Sequence, residues 1–327
     1  MDKKTYYQEN DGMFWEDAPK KDAFIWRSAK NPLFDMKKSE HFWHIYNSAA
    51  VKVGDEYIGV FRGDSKQGTP DLYVGKSTNG YDWELETSPI VFYNEDGSVF
   101  EKPYCYDPRL IKIDGVYYVV YCADIHGPSI YIAKTVDFKR FEMIPTGFLP
   151  FNRNGVLFPE KINGQYLMLN RPSDSGNTPF GNIYLSYSND LIYWGRHKLV
   201  MENFHNECYW ERIKIGAGPT PIKTDEGWLL IYHGVQATCN GYTYSMGVAL
   251  LDLEDPSKVL YRANRYLLTP EETYEITGFT PNCIFPCSAI VDSEGKVAIY
   301  YGVADTNLAI AFTTVDKLLE FVKKYNG

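Results

Sequence analysis

Polar residues of two chemical kinds recur at matching places along this chain. Asn47, Ser48, Asp64, Tyr106, Asp107 and Asp305 are carboxylates and neutral hydrogen-bonding groups, whereas Arg153, Asn154, Arg171, Lys214, His233 and Tyr244 are mostly cations and donors. Carboxylates and amides pair with the vicinal hydroxyls of a sugar. Two arginines, a lysine and a histidine suit a phosphate, whose oxygens accept charge-assisted and bidentate bonds. A sugar beside a phosphate is the implied cargo. Glycosidic cleavage by protein groups alone usually takes two carboxylates. If phosphate is the nucleophile, one protein acid suffices to protonate the leaving oxygen, and the reaction is phosphorolysis with inversion. The basic half would then hold phosphate against the anomeric carbon and turn an encounter into a positioned attack.

These residues cluster at the ends of a phrase that recurs along the chain: VGDEYIGVFRGD (53–64), IDGVYYVVYCAD (113–124), INGQYLMLNRPSD (162–174), TDEGWLLIYHG (224–234) and SEGKVAIYYGVAD (293–305). Each copy has a turn containing glycine, then an aromatic and β-branched run, then a polar end such as Arg62 and Asp64, Asp124, Arg171, His233 or Asp305. An apolar segment precedes each turn. Another follows each polar end, and YVGKS, IYIAKT and IYLSYS alternate with the period of a strand. STNGYDW, TVDFKRF and SNDLIYW look like copies of one connector. About five units of four antiparallel strands predict an all-β fold, a five-bladed β-propeller. Residues 1–40 read as an N-terminal arm and 41–327 as a single catalytic propeller, with a helix at about 315–325 in VDKLLEFVKKY. In an antiparallel hairpin the start of the first strand and the end of the second lie together. One mouth of the central channel should therefore collect the polar groups as a ligand site.

Composition narrows the alternatives. A net charge of −9 argues against a nucleic-acid footprint, and no apolar run reaches the length of a membrane span. The N-terminus MDKKTYYQENDG has no apolar stretch, so a cytoplasmic location is expected. The 6 cysteines lack CxxC pairs and read as reduced, mostly buried thiols; Cys283 and Cys287 find no further ligand at metal spacing. No metal or cofactor is expected beyond phosphate as co-substrate. Neither nucleic acid nor membrane is an expected partner, and the arm and terminal helix are the elements on which a homo-oligomer could form.

Several blocks, in order, resemble glycoside hydrolase family 130, the mannoside phosphorylases: YDPRLIKIDGVYYVVYCADIHGP, PFNRNGVLFPEKINGQYLMLNRPSD, TPFGNIYLS, WGRHKLVM, KIGAGPTPI, GWLLIYHGV, CNGYTYS and ADTNLAIAF. The similarity runs from about residue 12 to 325. It implies a five-bladed propeller that phosphorolyses β-mannosides to α-D-mannose 1-phosphate and a shortened acceptor. It implies that Asp107 is the general acid, acting through the mannose 3-hydroxyl. It assigns phosphate to Arg153, Asn154, Arg171, Lys214, His233 and Tyr244, and mannose to Asn47, Ser48, Arg62, Tyr106, Asp107 and Asp305; Asp64, in the same sugar-facing half, is grouped with them.

Hydrolytic members are expected to lose the basic set, which this chain keeps. A phosphorylase is therefore expected over a hydrolytic β-mannosidase or a non-catalytic glycan-binding propeller. The acceptor stays open between mannosyl-N-acetylglucosamine, mannooligosaccharides and other β-mannosides. Glu160, Asn177 and Asn182 depart from the family blocks and bear on the acceptor side. Asp124 and His126 either support Asp107 or close their loop, and Phe204, Tyr209 and Trp210 are either core or a rim platform for an acceptor sugar.

Overall fold

Each recurrent phrase folds as the hairpin at the heart of one blade of a five-bladed β-propeller. The structure, a computed structural model, describes residues 7–102, 104–145, 147–173, 181–203, 208–239 and 241–327. From the channel outward, blade one comprises Phe42–Val53, Glu56–Ser65, Pro70–Ser77 and Glu84–Leu85. Blade two comprises Cys105–Ile113, Val116–Asp124, Pro128–Thr135 and Phe141–Ile144, with Phe92–Tyr93 paired in parallel on its outer edge. Blade three comprises Asn152–Leu157, Tyr166–Pro172, Ile183–Ser188 and Gly195–Met201. In blade four, Lys214–Ala217 and Ile222–Lys223 pair with Trp228–Thr238, followed by Gly241–Leu251 and Val259–Arg262.

Blade five has Ile284–Val291, Lys296–Val303 and Asn307–Thr314, and its outer strand comes from the other end of the chain: Trp26–Arg27 pairs antiparallel with Asn307–Thr314. The segment read as an arm thus supplies the strand that the last repeat lacks. Two residues are too short to show alternation in sequence. The helix Val315–Lys324 follows, with Thr314 accepting from the Lys317 amide as its N-cap and Leu318, Leu319, Phe321 and Val322 buried. Among the described residues no helix is long and apolar enough to cross a membrane.

The core lies in the seams between blades. Successive residues of a central strand point to opposite faces, and here each face meets another blade. Val60 packs toward blade two and Phe61 toward blade five. Val119 faces blade one and Val120 blade three; Met168 faces blade two and Leu169 blade four; Leu230 faces blade three and Leu229 blade five. Burial on both faces is why these strands read as nearly continuous apolar runs rather than strict alternations.

The three similar connectors share one turn chemistry. The hydroxyls of Ser77, Thr135 and Ser188 accept from the backbone amides of Gly80, Phe138 and Leu191. Asn79, Asp137 and Asp190 each accept from two further amides, an Asx-type turn. Those amide donors hold the Asp137 and Asp190 carboxyls below their usual range.

Candidate active site

Three asparagine and aspartate side chains enter the channel mouth by the same backbone device. Asn47, Asp107 and Asn154 have φ of 42°, 52° and 54°. Each sits where the innermost strand of its blade slips register, between Tyr46 and Ala49, Tyr106 and Arg109, and Arg153 and Val156. A β-bulge leaves a residue unpaired and re-aims its side chain, and Asn and Asp tolerate the left-handed conformation better than bulkier residues. Neighbouring strands make room. A Cβ on Gly302 would lie 1.9 Å from Asn47 Oδ1, and one on Gly216 would lie 2.3 Å from Asn154 Nδ2 and 2.5 Å from His233 Cε1.

At the mouth these residues line a cavity of about 240 Å³ with Arg62, Tyr106, Arg153, Arg171, Tyr244 and Asp305. Asp107 Oδ1 accepts from Arg62 Nη1 at 2.7 Å and from Asn47 Nδ2 at 2.9 Å. Both bonds fall on one oxygen, so Oδ2 is the atom available to meet a substrate hydroxyl. Arg62 also donates to Tyr104 Oη at 2.7 Å and lies 4.2 Å from the Tyr46 ring centre. Burial opposes its charge, but Asp107 and the neighbouring acidic groups outweigh burial and raise its pKa.

Asp305, in the turn after Lys296–Val303, accepts from Thr280 Oγ1 at 2.5 Å. Burial raises its pKa against the opposing influence of Arg62. The folded protein therefore holds this proton more tightly than the unfolded chain does. The stability it brings is complete below the usual carboxylate range and is lost as pH rises through the raised folded value, so at neutral pH the ionised group is a cost. Asp305→Asn is expected to raise the thermal midpoint at pH 7 by on the order of a degree or two and to raise it less at pH 4, in the direction in which the buried carboxyl takes up its proton. Melting curves at both pH values check this; a lower midpoint at pH 7 would contradict it.

The basic half lies across the cavity. Arg153 and Arg171 are directly paired in the register of blade three. Arg153 donates to Tyr106 Oη at 3.3 Å and to the Ser173 carbonyl at 2.9 Å. Arg171 is buried, and its Nη1 lies 3.0 Å from His233 Nε2, which Asn154 Nδ2 approaches at 3.3 Å. A guanidinium only donates, so Nε2 is the acceptor and the neutral ring carries its proton on Nδ1. Burial, then Arg171, Arg109 and Lys214, push the His233 pKa well below its ordinary value. Burial, with Arg153 adding repulsion, lowers that of Arg171 to about 10, still charged at neutral pH. Lys214 opens the innermost strand of blade four, its Nζ 5.6 Å from the Tyr244 ring centre. Burial raises the Tyr244 pKa.

Four residues of the sequence-derived set, Ser48, Asp64, Lys214 and His233, are not among those lining the cavity. The Ser48 hydroxyl donates to the Tyr46 carbonyl at 2.8 Å and accepts from the Arg62 amide at 3.2 Å, holding the strand beside the bulge. Asp64 Oδ2 meets His44 Nδ1 and Tyr46 Oη, each at 3.3 Å. His233 is fully buried behind Arg171 and Asn154.

Sequence reading passed over Arg109, which is 1% exposed and ties the Asp107 carbonyl (2.9 Å) to the Gly218 carbonyl of blade four (2.7 Å). Its signal was its place two residues after Asp107 in YDPR. Tyr104, stacked on Tyr106 at 4.8 Å, had an alternation signal. Thr280 had none, since it comes from a segment outside the repeats.

The remaining candidates separate by position. Asp124 accepts from Tyr106 Oη at 3.1 Å, and His126 is exposed beyond it. Glu160 pairs with Lys223 at 2.5 Å at the opposite end of the channel, where Tyr7 also packs, so it faces away from this site. Asn182 accepts from the Asn203 amide at 2.8 Å. Trp210 is core, packed over Gly234 and Gly247, whereas Tyr209 is exposed. Asn177 and Phe204 lie outside the described residues.

Comparison with known proteins places this geometry. The family model described as beta-1,4-mannooligosaccharide phosphorylase matches residues 23–324. A beta-1,4-mannooligosaccharide phosphorylase of Ruminococcus albus is 46% identical over 324 residues, 96% of this chain and 95% of its own. A 1,2-beta-oligomannan phosphorylase of Thermoanaerobacter sp. is 33% identical over 292 residues, 84% of this chain and 93% of its own. Among solved structures, the beta-1,2-mannobiose phosphorylase of Listeria innocua in complex with beta-1,2-mannobiose aligns with a TM-score of 0.79 at 27% identity, covering 92% of this chain and 99% of that one. The propeller and the order of its blocks have the same origin as those of these proteins: this chain belongs to glycoside hydrolase family 130.

Proposed function

We propose that this protein is an inverting β-mannoside phosphorylase that takes β-1,4-linked mannooligosaccharides and phosphate to α-D-mannose 1-phosphate and a shortened acceptor. The observation that carries the reading is Arg171: a buried guanidinium on the cavity wall, beside Arg153, with no carboxylate paired to it among the described residues. A buried charge without a counter-ion is costly, and an anionic co-substrate would remove that cost. The 46% identity to a β-1,4-mannooligosaccharide phosphorylase supports the choice of linkage.

In this reading phosphate is bound by Arg153, Asn154, Arg171, Lys214 and Tyr244, with His233 setting Arg171 and Asn154 from behind. Asn47, Arg62, Tyr106 and Asp305 hold the terminal mannose, and Ser48 and Asp64 support that side. A phosphate oxygen attacks C1 as the C1–O bond to the acceptor breaks. Asp107 gives its proton to the mannose 3-hydroxyl, which passes its own to the leaving oxygen; proton exchange through solvent then restores Asp107. Phosphate is the only co-substrate. A cytoplasmic location fits the same reading, because all the cysteines are free thiols.

The test is incubation of β-1,4-mannobiose with and without phosphate. Mannose 1-phosphate is expected only with phosphate. Release of free mannose at the same rate without phosphate would overturn the proposal in favour of a hydrolase.

A further inference from the structure

The rim of the mouth between blades one and five carries aromatic side chains that the fold leaves in solvent. Phe279 is 76% exposed and Trp43 57%. The Phe279 ring lies 6.0 Å from that of His44, tilted by 36°, so the two form one shallow wall. The His44 ring is oriented by Asp64 at 3.3 Å. Exposed apolar surface grouped beside a polar cavity marks a place where something binds.

Phe279 is not on a loose loop. The next residue, Thr280, holds Asp305 through its hydroxyl and the Ala304 carbonyl through its amide at 3.0 Å. A Cβ on Gly278, the residue before, would lie 2.5 Å from the Ala304 carbonyl, so that backbone packs directly on the Asp305 turn. Upstream, Glu275 is fully buried and takes two bonds of 2.8 Å from Arg27 and one of 2.9 Å from Tyr301. The ring is thus held at a set place relative to Asp305 at a low entropic cost on binding.

Inversion fixes which part of the substrate arrives there. Nucleophile and leaving oxygen must lie on opposite sides of C1. The phosphate set belongs to blades three and four, on Arg153, Asn154, Arg171 and Lys214, so the leaving saccharide departs across the mouth toward blades one and five. A pyranose presents an apolar C–H face, which suits the electron-rich face of an aromatic ring.

We propose that Phe279, with His44 beside it, forms a carbohydrate subsite for the leaving oligosaccharide, holding the sugar beyond the one bonded to the transferred mannose. The subsite rests on the phosphorylase reading. It makes the enzyme favour mannotriose and longer chains over mannobiose, whose single leaving sugar does not reach the rim.

The test compares wild type with Phe279→Ala and Phe279→Trp on β-1,4-mannobiose and β-1,4-mannotriose at saturating phosphate. Phe279→Ala is expected to raise KM for mannotriose about tenfold. It should leave kcat, KM for mannobiose and KM for phosphate within twofold of wild type (about 0.4 kcal/mol by the same conversion), and Phe279→Trp should restore the mannotriose KM. Equal KM changes for the two substrates, or none, would overturn the subsite while wild-type phosphorolysis persists. Loss of phosphate dependence in wild type would overturn the underlying reading instead. Equal thermal midpoints for wild type and Phe279→Ala exclude a folding effect.

Discussion

Asp107→Asn is expected to lower kcat on β-1,4-mannobiose by about 10³-fold while leaving the fold intact. The substitution keeps size and leaves an amide oxygen to meet Arg62 and Asn47. It removes the ionisable proton together with the charge that pairs with the largely buried Arg62, so the thermal midpoint should fall while the fold is kept. The bulge survives, because asparagine tolerates the positive φ of 52° as readily as aspartate. A substrate whose leaving group needs no protonation, such as an aryl β-mannoside, should lose far less rate. That contrast separates loss of an acid from loss of binding. Full activity of the variant on mannobiose would remove Asp107 from the role; an equal loss on both substrates would make it a binding group only.

Arg171→Met is expected to lower kcat/KM for phosphate by about 100- to 1,000-fold, in the range seen when one preorganised donor to a developing anion is removed. Wild type carries two arginines in register across the first two strands of blade three, an arrangement that costs stability until an anion joins them. Phosphate should therefore raise the wild-type thermal midpoint, by an amount equivalent to about 2.7 kcal/mol at a hundred times its Kd. In the variant that rise should largely vanish, while the midpoint without phosphate should not fall. Kinetics at varied phosphate and melting curves with and without it read both effects. Arg171→Lys should also fail to restore wild-type affinity, because an ammonium lacks the planar fork of a guanidinium. An unchanged phosphate KM in Arg171→Met would overturn the assignment.

The propeller was legible because its central strands are buried on both faces. Val119 and Val120, or Leu229 and Leu230, are both apolar since each meets a different neighbouring blade. Five such runs between glycine turns have few other ways to bury themselves. The polar ends of the phrases were legible for the same reason, since a side chain that breaks an apolar run must leave the seam. Trp26–Arg27 was not: two residues carry no period, and their partner strand lies at the far end of the chain.

Within the site, the residue types and the division into a sugar-facing and a phosphate-facing half belong to the sequence itself. Which side chains reach the cavity belongs to the tertiary structure. Asn47 and Ser48 both lie in the register break after Tyr46, yet Ser48 turns back onto the Tyr46 carbonyl while Asn47 reaches Asp107 at the mouth. Period-two alternation assigns a face along an unbroken strand, and a bulge cancels that assignment at the positions that matter most. Arg109 and His233 act across blade boundaries, on Gly218, Arg171 and Asn154. Contacts of that kind exist only once the ring has closed, because blades distant in sequence become neighbours through packing and not through any local preference of the chain.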